Sequence, residues 1–316
     1  MEKKPLVILT GPTAVGKTKL SIDLAKAIDG EIISADSMQV YRQMDIGTAK
    51  ITKQEMDGVV HHLIDIMDPD EDFNVVKFQQ LAKEAMKSIY EKNKIPIIVG
   101  GTGFYIQAIL YDIDFSQNDG NTSYRLELEQ LAKEKGNEYL HQMLASVDEA
   151  SANNIHANNT KRVIRALEFY HQTGMKMSEH NEEQRQKTSP YEFAYLVLNQ
   201  ERSVLYERIN VRIDQMLDAG LVDEVIKLKE QGFGPGLVSM QGLGYKEILS
   251  YLNGEITLEE AIYILKRDTR HFAKRQLTWF KREQDVTWIN KQEYNGEEEL
   301  LESVIEILEK RHILDK

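Results

Sequence analysis

Pro5-Leu6-Val7-Ile8-Leu9-Thr10-Gly11-Pro12-Thr13-Ala14-Val15-Gly16-Lys17-Thr18 decides how this 316-residue chain is read. Leu6 to Leu9 is an apolar run of the kind that forms a buried strand, and Lys19 to Ile28 reads as a helix. Between them, Gly11 to Thr18 match the phosphate-loop pattern G-x-x-x-x-G-K-T, in the strand–loop–helix context that the motif requires. Glycines let successive backbone N–H groups of Gly11, Pro12, Thr13, Ala14, Val15 and Gly16 curl round an anion, proline alone lacking the donor. The helix N-terminus adds its positive dipole end. Lys17 supplies a point charge, and the Thr18 hydroxyl is the candidate ligand for Mg2+. The stretch therefore predicts a di- or triphosphate site. It does not say whether the phosphate is transferred, hydrolysed or expelled.

The bulk composition narrows the class. With 28% charged and 41% hydrophobic residues the chain reads as an ordinary soluble protein, long enough for about two domains. Without cysteine, no disulfide framework or thiolate zinc site is possible. The first apolar run ends in Gly-Pro and reads as a core strand, not a signal peptide. No stretch approaches the roughly 20 apolar residues of a membrane span. A cytoplasmic enzyme is expected. The net charge of −12 repels nucleic acid on average, so a nucleic-acid substrate would need the basic residues gathered in one place.

Read in order, the rest of the chain predicts an α/β protein: a phosphate-loop parallel sheet core with a mostly helical insertion. Glu31 to Ala35 is a second strand, and Asp36 stands at its carboxyl end, where open α/β sheets bind ligands. That position suits a general base or Mg2+ ligand and suits an Asx turn equally well. His61 and His62 are adjacent, without metal-ligand spacing, and favour a structural or loop role. Residues 76–92 form a helix, and Lys94 to Val99 a third strand ending in Gly100-Gly101-Thr102-Gly103. Many phosphate-loop hydrolases place an Asp there; glycines count against an ATPase or GTPase. From Ser116, a polar opening leads to helical patterns at Tyr124–Lys133, Glu138–Ala145 and Thr160–Thr173. The expected division is 1–115 plus 199–316 for the core and 116–198 for the insertion. Phe193 to Leu198 reads as a strand. Ser203 to Gln231 reads as a long helical region broken near Gly220. On it, Arg208 and Arg212 share a face, and either one could reach a phosphate. Residues 266–282 gather Lys266, Arg267, Arg270, Lys274, Arg275, Lys281 and Arg282 with interleaved aromatics. In an acidic chain this is the footprint of phosphate-backbone contacts. A charged helix with a buried aromatic stripe is the plainer alternative for this cluster.

These stretches occur in the order seen in one family. Gly11 to Thr18, Ser34-Ala-Asp-Ser-Met-Gln39, Asp45-Ile-Gly-Thr-Ala-Lys50 and His61-His-Leu-Ile-Asp65 come first. Val99-Gly-Gly-Thr-Gly103, Gly244-Tyr-Lys-Glu247 and Arg270-His-Phe-Ala-Lys-Arg-Gln-Leu-Thr-Trp-Phe280 follow. Over nearly its whole length the chain resembles bacterial tRNA dimethylallyltransferases. Eukaryotic relatives carry a zinc finger, which a cysteine-free chain does not have.

The resemblance implies transfer of a dimethylallyl group from dimethylallyl diphosphate to N6 of adenosine 37 in the tRNA anticodon stem-loop, with Mg2+ as cofactor and a monomeric enzyme. Gly11 to Thr18 would then hold a leaving diphosphate. Asp36 would be the general base. Lys17, Thr18 through Mg2+, and Arg212 in preference to Arg208 would stabilise developing charge. The same resemblance assigns tRNA contacts to Asp36, Ser37, Met38, Gln39, Thr102, Arg125, Lys161, Arg162, Val163, Ile164, Arg165, Gln241, Gly242, Leu243, Gly244, Tyr245 and Lys246. Arg270, Lys274 and Arg275 of the basic cluster join them. The competing readings are a small-molecule kinase, a prenyltransferase acting on free AMP or ADP, and a phosphate-gated RNA-binding module without chemistry.

Overall fold

The computed structural model describes residues 3–115 and 122–314. The polar opening expected at Ser116 to Ser123 falls, up to residue 121, outside the described residues. The chain divides into two compact units, residues 1–110 with 190–316, and residues 111–189.

The first unit is built on a six-stranded parallel sheet in the order β3-β2-β4-β1-β5-β6. Its strands are β1 (Lys4–Thr10), β2 (Gly30–Ser34), β3 (His61–His62), β4 (Ile95–Gly100), β5 (Tyr191–Asn199) and β6 (Val286–Asn290). β1 lies between β4 and β5, with Leu9 opposite Val99 on one side and Leu196 on the other. Leu6, Val7, Ile8 and Leu9 are wholly buried, as a strand covered on both faces requires. Each such side chain contributes roughly 1.5–3 kcal/mol by leaving water. From β1 the chain crosses through α1 (Lys17–Ala27) to β2, beyond β4; the later strands β5 and β6 lie on the opposite side of β1. This reversal opens a crevice at the carboxyl end of β1, where such sheets bind ligands.

α2 (Val75–Glu91) leads to β4, and α3 (Gly103–Leu110) follows it. Asn74 caps α2, accepting from the amides of Val76 and Lys77 at 3.0 and 3.1 Å. The helical region after β5 breaks as the sequence predicts. Gly220, with φ 98°, separates α9 (Arg202–Asp218) from α10 (Leu221–Glu230). α11 (Tyr245–Leu252) and α12 (Leu258–Phe280) follow, and α12 opens with a Thr257/Glu260 capping box. α13 (Glu297–Lys310) buries Leu300, Val304 and Leu308, the apolar face expected there.

The second unit holds α4 (Thr122–Lys135), α5 (Asn137–Val147), α6 (Glu149–Asn154), α7 (Thr160–Thr173) and α8 (Met177–Arg185), with no strand among its described residues. Leu128, Leu140, Leu144, Val163, Ile164 and Leu167 form its core. Its far boundary lies earlier than the expected 198. β5 starts at Tyr191 and pairs with β1 from Lys4 to Thr10, so the strand belongs to the first unit. β6 was not foreseen; its five residues follow the basic run without a clear alternation. β3 explains the paired histidines. Their strand pairs with β2, and His62 Nε2 lies 2.8 Å from the buried Glu31 carboxylate. Burial pushes that carboxyl up, and hydrogen bonds from His62 and Lys92 more than offset it, leaving it below its ordinary value. No helix among the described residues is long and apolar enough to cross a membrane.

Candidate active site

The phosphate loop joins β1 to α1. Thr10 Oγ1 donates to Gly100 O at 2.6 Å, tying the end of β1 to the end of β4. Ala14 and Gly16 adopt left-handed conformations, φ 64° and 99°, within the loop. Such turns point neighbouring amides to one side and form an anion-binding concavity. Lys17 is partly buried, and its ammonium donates to the loop's own carbonyls, Gly11 O at 2.9 Å and Pro12 O at 2.8 Å. Burial pulls its pKa down to about 7. The Arg212 charge acts the same way, and Asp36 opposes both. Burial also lowers Arg212, again against Asp36. Lys17, Arg212 and Asp36 thus feel one another's charge at the mouth of the loop.

The two arginines left open by sequence occupy different places. Arg212 is the neighbour of Lys17 and Asp36. Arg208 is exposed and donates to Gln200 Oε1 at 3.3 Å. Its guanidinium lies beside Gly16, 3.7 Å from where a Cβ would stand there. Asp36 satisfies both readings of its position. Its Oδ1 accepts from the amides of Met38 at 2.8 Å and Gln39 at 3.3 Å, an Asx turn, and its charge still acts on Lys17 and Arg212. Thr18 is exposed at the first turn of α1.

The glycines ending β4 make room for the protein itself. A Cβ at Gly100 would lie 2.3 Å from Ala35 O, one at Gly101 2.1 Å from Gln276 Nε2, and one at Gly103 2.2 Å from the Trp279 ring. α12 docks here. Gln276, 6% exposed, accepts from Thr13 N at 2.9 Å and donates to Gly101 O at 3.1 Å. One side chain thereby joins the phosphate loop, the end of β4 and the basic helix. Sequence reasoning missed it, taking it as part of the charged run. The spacing Ala273, Gln276, Phe280 puts it on the buried face and was the available signal. Lys291 was missed with β6. Its ammonium lies 3.0 Å from the Cβ position of Gly16 and pairs with Glu297 at 2.8 Å.

The candidate RNA residues divide. Ser37, Met38, Gln39 and Thr102 are half-buried on the loops after β2 and β4; Thr102 N donates to Ala35 O at 3.3 Å. Gln241 is exposed, and Gly242, Leu243 and Lys246 are half-buried. Tyr245 turns its side chain inward. It is wholly buried against Gly47, its hydroxyl donating to Glu224 at 2.6 Å, and Gly244 is buried with it as the N-cap of α11. In the second unit Lys161 and Arg162 are exposed, but Val163 and Ile164 belong to the apolar core and offer RNA no side chain. Arg125 is committed to the buried Glu168 through two bonds, 2.9 and 2.6 Å, and Arg165 is half-buried, with burial lowering its pKa. In the basic helix, Lys266 pairs with Asp214 and Arg267 with Asp268, while Arg270 donates to Asn210 at 2.7 Å. Lys274, Arg275, Lys281 and Arg282 are exposed, and among the described residues none carries an ion pair. The cluster is therefore neutralised at its start and open at its end.

Comparison with known proteins adds a family. The model of the IPP transferase family matches residues 39–283. The chain is 65% identical over 311 residues to the tRNA dimethylallyltransferase of Lachnoclostridium phytofermentans, covering 98% of this chain and 99% of that protein. The full-length tRNA isopentenylpyrophosphate transferase of Bacillus halodurans superposes with a TM-score of 0.75 at 47% identity, over 98% and 97% of the two chains. A eukaryotic dimethylallyltransferase crystallised acting on tRNA gives a TM-score of 0.85 at 31% identity, over 98% of this chain and 80% of that one.

Proposed function

Because this chain belongs to the IPP transferase family, we propose that it transfers a dimethylallyl group from dimethylallyl diphosphate to tRNA, at N6 of adenosine 37 beside the anticodon, and releases diphosphate. The observation that carries the chemistry is the meeting of Asp36, Lys17 and Arg212 at the mouth of the phosphate loop. The adenine amino group is a weak nucleophile, its lone pair being delocalised into the ring. As the new N–C bond forms and the allylic C–O bond breaks, Asp36 takes the amino proton. The loop amides, Lys17 and Arg212 hold the electron pair leaving on the diphosphate oxygen. The target base leaves its stack to reach the carbon, at a cost of about a few kcal/mol in a loop.

The residues present fit Mg2+. Thr18 is an exposed hydroxyl residue next to Lys17, and the Asp36 charge acts on that lysine. Among the described residues no three His, Asp or Glu gather into a cage, and Mg2+ needs none, being held by one or two protein groups with phosphate oxygens and water. When bound, the ion would be held through Thr18 and would neutralise charge developing on the leaving group. Recognition of the anticodon stem-loop is assigned to the loops after β2 and β4, to the α11 entry, to Lys161 and Arg162, and to the open end of the basic helix. The enzyme is taken to act as a monomer in the cytoplasm; light scattering giving more than one chain would contradict the first point.

The test is incubation with labelled dimethylallyl diphosphate and, separately, tRNA, AMP or ATP. Label in tRNA, at adenosine 37 on nuclease mapping, is the expected result. Label on AMP alone, or ATP turnover without transfer, overturns the proposal.

A further inference from the structure

Three successive backbone amides converge on one carboxylate. Glu224 Oε2 accepts from Asp45 N at 3.0 Å and Ile46 N at 2.7 Å; Oε1 accepts from Gly47 N at 3.1 Å and from the Tyr245 hydroxyl at 2.6 Å. Consecutive inward amides make an anion nest, here filled by a side chain of α10. Bonds to an ionised acceptor are the strong ones. The clamped loop is closed from its other side as well. Thr48 Oγ1 donates to Met44 O at 2.6 Å, and Lys50 donates to Tyr41 O and to the carboxylates of Asp45 and Asp65. Gln39 Nε2 donates to Thr48 O and Ala49 O, each at 3.3 Å, and the Gln39 amide in turn donates to Asp36 Oδ1.

Two close contacts complete the assembly. The Tyr245 ring lies against Gly47, 2.6 Å from where a Cβ would stand, and Met38 Cε lies 2.5 Å from the Cβ position of Gly242. Segments 36–39, 44–50 and 241–246 therefore pack as one platform, with Glu224 at its joint. Sequence reasoning gave Glu224 no role, although its spacing from Leu221 and Leu228 places it beside the buried face of α10.

We propose that Glu224 is a positioning residue for the acceptor side of the reaction, acting through the 45–47 loop and Tyr245 to hold Asp36, Gln39 and the α11 entry in register for the RNA base. The inference rests on the functional reading above. It separates the two halves of the site, because the Glu224 bonds run to the platform and not to the phosphate loop.

The test compares Glu224→Gln and Tyr245→Phe with the wild-type chain in steady-state transfer to tRNA, together with calorimetric binding of inorganic pyrophosphate. Glu224→Gln turns one acceptor oxygen into a donor facing other donors. It is expected to lower kcat/KM for tRNA about tenfold or more, while KM for dimethylallyl diphosphate and the Kd for pyrophosphate stay within about twofold. Tyr245→Phe removes a single donor and should move the same parameter by less; it carries the test if Glu224→Gln does not fold. A raised KM for dimethylallyl diphosphate and a weakened Kd for pyrophosphate matching the loss on tRNA, in step with a lowered Tm, would reduce Glu224 to a support of the fold and overturn the proposal. Unchanged tRNA parameters in both variants would overturn it too. Absence of transfer by the wild-type chain would instead overturn the functional reading, and this inference with it.

Discussion

At the scale of single residues, Asp36 shows how one carboxylate serves two tasks. Its Oδ1 is fixed by the amides of Met38 and Gln39, which aims the group without neutralising it. Asp36→Ala should lower kcat by about 100-fold or more, the usual worth of a positioned base, and leave tRNA affinity within about threefold. Unchanged turnover at saturating substrate would remove the base assignment. Lys17 adds a pH signature. In the free protein it titrates at about 7, held down chiefly by burial. A bound diphosphate favours the charged form, so above pH 7 binding takes up a proton and affinity falls with rising pH, by up to about tenfold per unit. Calorimetry of pyrophosphate binding in buffers of different ionisation heat reads this uptake. Lys17→Arg should abolish the lysine's share, since arginine stays charged. The same depression has a sign for stability. Between about 7 and 10.5 the unfolded chain holds more proton at Lys17, so that contribution rises with pH across the window. The motif named Lys17 and Thr18 in the sequence, but not that the lysine would lie across its own carbonyls.

At the scale of elements, α12 does two things on two faces. Ala273, Gln276 and Phe280 are buried towards the sheet end, and Lys274 and Arg275 face water. The double change Lys274→Ala/Arg275→Ala should weaken tRNA binding and reduce the slope of log affinity against log salt by about 2. Lys266→Ala, whose charge is already paired with Asp214, should leave that slope nearly unchanged. Filter binding across salt concentrations separates them. The basic cluster was legible because composition alone reveals charge excess. Which of its cations are spent internally was not, because Asp214 and Asn210 come from α9, far away in sequence. The burial of the Tyr245, Val163 and Ile164 side chains was hidden for a similar reason. A motif copies residues without saying which way they face.

At the scale of the whole molecule, the parallel sheet was readable from β1 outwards. Apolar runs followed by glycine or Asp mark strands whose carboxyl ends carry ligands. β6 escaped, being short and at an edge. The second unit was visible as a helical stretch, but the bond network that braces it was not. Asp148, 1% exposed, accepts from Ser151 N and Oγ and from Ser178 N and Oγ at 2.6–2.9 Å, joining α6 to α8. Asp148→Ala should cost about 2 kcal/mol, seen as faster amide exchange in residues 122–189 with little change in the sheet. Burial pushes this carboxyl up and the serine bonds more than offset it, so it lies below its ordinary value. Its stabilisation is full above the ordinary carboxylate range and is lost as the pH falls through the depressed value.

The crowding at the end of β4 also bears on how this protein can change over time. At position 101 the obstacle is the tip of a glutamine, and at 103 a tryptophan ring, so a larger residue there could be tolerated after truncation of its neighbour. At position 100 the obstacle is the Ala35 main chain, which no second substitution can trim. Two of the three glycines are open to compensated drift, and one is closed to it. A randomised library selected only for folding would recover paired exchanges 101 with 276 and 103 with 279, and glycine alone at 100.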